Sequence, residues 1–142
     1  MVQKILLAVD GSENALRAAG FALDLVKSIP GARCTAITVV SFTREEARYL
    51  GVPDADFYAA LEMKASRLLE GTEELFGREG VALDRVVLQG DVARSIAGYA
   101  GENRYDLIVM GTRGHGNIKG MLLGSVSSKV IQIAHCPVVT VK

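Results

Sequence analysis

Between Met110 and Ser125 the chain reads Met-Gly-Thr-Arg-Gly-His-Gly-Asn-Ile-Lys-Gly-Met-Leu-Leu-Gly-Ser, a stretch dense in glycine that ends on a hydroxyl. An apolar run, Leu107 to Met110, leads into it and a helix-like segment, Val126 to His135, follows. Glycine lets main-chain N–H groups come close to an anion, and a helix start adds unpaired N–H donors and the positive end of a dipole. Gly111, two residues, Gly114, nine residues, Gly124 and then Ser125 is therefore read as a cradle for the polyphosphate of a nucleotide. It is not a P-loop, which ends Gly-Lys-Ser/Thr, nor a Gly-x-Gly-x-x-Gly fingerprint after a first strand. The competing reading is a long loop whose glycines only permit turns. Long structureless loops within compact domains are usually functional, which favours the cradle.

Other residues bear on the same chemistry. Asp10, just after the first apolar run, suits a ribose hydroxyl or a share in a metal at the phosphates; equally, local N–H groups at a helix start would satisfy it. Arg113 and Lys119 lie inside the glycine stretch, either neutralising phosphate or simply solvated. His115 has no evident carboxylate partner and is read as incidental rather than as an acid or base. His135 falls at the end of the fourth helix, where positive charge suits the dipole. Cys136 precedes a buried strand and reads as core. Neither a zinc-spaced Cys/His cluster nor a Gly-x-Ser-x-Gly elbow is present, so no residue is assigned a catalytic or metal-ligating role.

The elements that would position these groups follow from the pattern. Ile5 to Val9 is an unbroken apolar run, as in a strand covered on both faces. Ser12 then caps a helix whose inner face carries Ala15, Ala19, Ala22, Val26 and Ile29, stopped by Pro30-Gly31. Thr35 to Val40 is strand two, and a polar stretch to Asp56 holds one helical turn at Arg44 to Tyr49. Phe57, Leu61, Ala65, Leu68, Thr72 and Leu75 mark the next helix face. Arg85 to Gln89 is strand three, and Asp91 caps a helix with Val92, Ile96 and Ala100 inward. Strand four is Asp106 to Met110, and Val138 to Val141 is the last strand. This alternation predicts an α/β fold: one doubly wound parallel five-stranded sheet in a Rossmann-like three-layer α/β/α arrangement. Order 3-2-1-4-5 would place Asp10 and the Gly111 loop on one crevice, where such sheets bind ligands.

Composition narrows the class. A chain of 142 residues suits one domain, 1–142. Sixteen basic and sixteen acidic side chains cancel, so no net field recruits nucleic acid or anionic membrane. The pair Cys34 and Cys136 is too sparse for a disulfide framework and suits a reducing, cytoplasmic setting. The opening apolar run is too short for a signal peptide, and no stretch has the length of a membrane span.

With these pieces placed, the whole chain resembles the universal stress protein family in its ATP-binding branch. The resemblance rests on Lys4 to Ser12, on Asp106 to Gly111, on Cys136-Pro137-Val138-Val139 and on the complete Gly-two-Gly-nine-Gly-Ser spacing. It implies the 3-2-1-4-5 order and ATP, with Mg, held across strands one, two and four. The contacts it implies are Ala8, Val9 and Asp10; main-chain atoms of Val39 at the adenine; Met110, Gly111, Thr112, Arg113 and Gly114; and Gly124, Ser125 and Val126. AMP or a cyclic nucleotide would meet the same adenine and phosphate ends. The resemblance further implies a homodimer through Val138 to Val141, which would cover an otherwise unpaired apolar edge. A stress-response regulator whose ATP occupancy is read by a protein partner is the expected function. The alternatives are a slow ATP hydrolase, with at most weak activity, and a scaffolding dimer with no nucleotide.

Overall fold

The computed structural model describes residues 1–114 and 122–142. Five strands, β1 (Lys4–Ala8), β2 (Arg33–Val40), β3 (Leu83–Gln89), β4 (Leu107–Gly111) and β5 (Val138–Val141), pair in parallel in the order β3-β2-β1-β4-β5. The helices are α1 (Glu13–Ser28), α2 (Arg44–Tyr49), α3 (Phe57–Arg78), α4 (Val92–Glu102) and α5 (Ser125–Ile133). The doubly wound α/β/α fold expected from the sequence is the one observed.

β1 is apolar throughout because both of its faces are covered. Ile5 and Leu7 pack with Ala18, Ala22, Leu69 and Phe76 beneath α1 and α3. Leu6 and Ala8 point the other way, to Ile96, Ala100, Ile108 and Val130 beneath α4 and α5. The starts of β1 and β4 are clasped by Asp106, one carboxylate oxygen of which accepts the N–H groups of Gln3 and Lys4 at 2.9 and 2.8 Å. Those two bonds hold its acid below the ordinary carboxylate range. Cys34 is inert by contrast: burial pushes its thiol up to about 12.

Local signals set the helix starts. Ser12 Oγ accepts the Ala15 N–H at 3.1 Å, and the turn ahead of it places Gly11 at φ 79°, a conformation that suits glycine. Thr43 and Glu46 form a reciprocal capping box, which makes the expected single turn a true short helix, α2. One helix face departs from expectation. α3 buries Phe57, Leu61, Ala65, Leu69, Thr72 and Phe76, so Leu69 and Phe76 replace Leu68 and Leu75. The reason is phase: leucines at both 68 and 69 satisfy the pattern, and the bulk of Phe76 selects the row that faces the sheet.

The two sheet edges differ chemically. On β3, Asp84 and Arg85 are exposed, and Arg85 reaches Glu62 and Glu73 of α3 at 2.5 and 3.8 Å. β5 presents Val-Val-Thr-Val. Its ladder to β4 uses the carbonyls of Pro137 and Val141, accepting from Ile108 and Thr112. By strand alternation, the main-chain groups of Val138 and Thr140 therefore point out from the edge.

The Thr38 hydroxyl, buried in β2, finds no hydrogen-bond partner among the described residues. Burial without a partner costs free energy, and valine has nearly the same shape. Thr38→Val is expected to raise the unfolding free energy by about 1 kcal/mol. Urea titration would show a higher midpoint at unchanged slope; a lower midpoint would contradict this account of the hydroxyl.

Candidate functional site

The pairing of β1 between β2 and β4 brings three strand ends to one crevice. A cleft of about 280 Å³ opens there, close to the lower bound of small-ligand sites. At one end it is apolar, walled by Ile37 and Val39 of β2 and by Val92 and Ile96 of α4. The other end is made of Asp10, Gly111, Arg113 and Gly114, with Gly124 to Ser127 at the start of α5. Every contact residue expected from the sequence lines this cleft except Thr112. Ser12, Ala15, Ile37, Val92, Ile96 and Ser127 line it too, and sequence reasoning did not place them there. A signal existed for three of these: Ile37 shares a strand face with Val39, and Val92 and Ile96 lie one helical turn apart.

Asp10 sits on the turn between β1 and α1. One of its oxygens accepts the Ser12 N–H at 2.9 Å, the local satisfaction that was one of its two readings. Its other oxygen leans toward the glycine segment: a Cβ on Gly114 would lie 2.5 Å from Oδ2. Gly111 answers to a different neighbour. A Cβ there would lie 2.8 Å from Asn14 Cβ and 2.9 Å from Asn14 C, inside the first turn of α1. So Gly111 lets α1 lie against β4, whereas Gly114 lets the glycine segment pass the Asp10 carboxylate.

Thr112, expected among the ligand contacts, does not line the cleft. It is buried behind the cleft wall, where its polar groups hold the structure together. Its N–H donates to the Val141 carbonyl at 2.8 Å. Its carbonyl accepts the Gly124 N–H at 2.6 Å and the Ser127 hydroxyl at 2.7 Å. Asn14 Nδ2 approaches its hydroxyl at 3.4 Å. Gly124 consequently does not turn its N–H to the cleft. Its part is to leave room, since a Cβ would lie 3.4 Å from both Arg113 Cα and the Thr112 carbonyl. As the cap of α5 it brings no side chain to the helix start, whose first turn (Ser125, Val126, Ser127) faces the cleft. His115 and Lys119 lie outside the described residues.

With an apolar slot, a glycine turn and a helix start sharing one crevice, relationship to known proteins becomes decisive. The model of the universal stress protein family matches residues 1–142. The chain belongs to that family. A universal stress protein from Thermus aquaticus is 39% identical over the full length of both chains. Universal stress protein MJ0531 of Methanocaldococcus jannaschii is 33% identical, covering all of this chain and 83% of its own. Among solved structures, hypothetical protein MJ0577 superposes with a TM-score of 0.82 at 26% identity, covering 100% and 96% of the two chains. A universal stress protein from Archaeoglobus fulgidus, solved in complex with dAMP, shares the fold at a TM-score of 0.71 and 21% identity, over 100% and 98% of the chains.

In this universal stress protein the two glycines separate fold from site. Gly111→Ala is expected to destabilise by about 1–3 kcal/mol, because the contact is with helix backbone that cannot turn away. Gly114→Ala meets only the end of a side chain, so its melting temperature should stay near that of the unaltered protein. Thermal unfolding followed by circular dichroism compares the two; equal losses would refute the separation.

Proposed function

We propose that this protein is an ATP-binding regulatory module of the stress response, one domain spanning 1–142 and acting in the cytoplasm as a homodimer. The observation that carries the reading is the cleft's division into an apolar slot for adenine and a donor-lined end for phosphate. Main-chain atoms of Val39 meet the base between Ile37 and Ile96. Gly111, Gly114 and the α5 start meet the phosphates, and Arg113 offsets part of their charge. An adenine nucleotide bound by another protein of this fold agrees with that choice of base.

Magnesium fits this arrangement only as a passenger. No group of three or more candidate ligands occurs among the described residues, and Asp10 is the one carboxylate of the described lining. A hard cation kept mostly by phosphate oxygens and water, with one carboxylate at hand, is how magnesium usually accompanies a nucleotide. Asp10 would hold it, and the ion would supply charge neutralisation.

Hydrogen bonds to a charged group contribute about 1.5–3 kcal/mol each, so three or four, less the cost of immobilisation, give about −8 kcal/mol, or micromolar affinity. Isothermal titration with ATP and Mg²⁺ is expected to show that affinity, and Gly114→Leu to abolish it while the dimer persists. Absence of heat at sub-millimolar ATP, with folded protein, would reject the reading. A slow hydrolase is the second reading, Asp10 orienting the ion or water. Against it, the described lining offers no lysine and no further base, where phosphoryl-transfer sites combine several.

The dimer reading rests on the edges. Asp84 and Arg85 blunt β3, whereas β5 offers Val138 and Thr140 outward. Thr140→Pro removes an outward donor and spares the ladder to β4. Sedimentation velocity should then report a monomer where the unaltered protein gives a dimer; an unchanged dimer would place the contact elsewhere.

A further inference from the structure

We infer that Ser127 is a positioning residue for the phosphate end of the cleft, an inference that rests on the nucleotide reading above. Ser127 lies in the first turn of α5 and is 2% exposed although it borders the cleft. Its hydroxyl donates to the Thr112 carbonyl at 2.7 Å and lies 3.2 Å from the Gly124 carbonyl. Thr112 is where the chain leaves β4 for the glycine segment, and Gly124 is where it returns. The serine hydroxyl therefore spans both sides of the neck.

Two facts make that bridge matter. Gly124 gives α5 no side-chain cap, so nothing at the usual capping position orients the helix start. Another tie across the neck, among the described residues, is the Gly124 N–H to the Thr112 carbonyl at 2.6 Å. Closing a long, glycine-rich segment costs chain entropy, and each neck bond offsets part of it before any ligand arrives. Without the hydroxyl, the first-turn N–H groups of α5 lose one of the restraints that aim them, and ligand binding must supply the order instead. The apolar slot is walled by β2 and α4 and does not depend on this bond.

That asymmetry defines the test. Ser127→Ala is compared with the unaltered protein by isothermal titration against ATP with Mg²⁺ and against adenosine, alongside hydrogen exchange at the Gly124 amide without ligand. The expected result is a five- to tenfold weaker ATP affinity, unchanged adenosine affinity and faster exchange at Gly124. Equal weakening toward both ligands would show a general structural role and overturn the inference, as would unchanged ATP affinity or unchanged exchange. If the unaltered protein binds no ATP, the nucleotide reading itself fails and takes this inference with it, a result distinct from normal binding by both proteins.

Discussion

Everything that faces the crevice depends on β1 being held between β2 and β4. Parallel pairing of Ile5 with Leu107 and Leu7 with Val109 sets the end of β1 beside the end of β4. The turn after each then leaves the sheet at the same height. A shift of one residue in either strand would invert its faces, exchanging Leu6 and Leu7 between cores and carrying Asp10 away from the glycine segment. The register is strongly specified because both faces of β1 are fully buried, and the Asp106 clasp on Gln3 and Lys4 pins its other end.

The cleft joins an apolar wall to a segment of glycines and a helix start. The wall beside β2 and α4 is aliphatic, the far side is glycine and helix start, and Asp10 and Arg113 are the charged residues of the described lining. Such a site would orient a ligand through fixed donors more than through charge, in keeping with a chain whose formal charges cancel. Backbone donors at such a site would be aimed by whatever holds the backbone. Thr112 is the meeting point: its carbonyl, N–H and hydroxyl touch α5, β5 and α1 in turn.

Much of the fold was legible because its signals are local or periodic. The run from Ile5 to Val9, the cap at Ser12, the Thr43–Glu46 box and the strand after Pro137 each state a conformation within a few residues. The sheet order was not local information; it came from asking which order would unite two chemically suggestive turns, and from family likeness. The α3 face misled at Leu68 and Leu75 because adjacent large apolar residues leave the helical phase undecided until a neighbour selects it. Within the site, glycine spacing marked the segment but not the work of each glycine. Whether a missing side chain makes room for a ligand, a helix or a carboxylate depends on what lies opposite, as Gly111 and Gly114 show. Thr112 and Ser127 escaped for the same reason, since a carbonyl's partners come from tertiary folding.

The unlike borders of the sheet would carry a consequence for any side-by-side association of two copies. A sheet adhesive along both sides grows by addition, each newcomer presenting a fresh side to the next, and ends as a ribbon. Here the ion pairs around Arg85 stud one side with charge, while the opposite side is short and offers outward groups at only Val138 and Thr140. Were two copies to join side by side through the last strand, what would remain outward is the charged border, and addition would stop there.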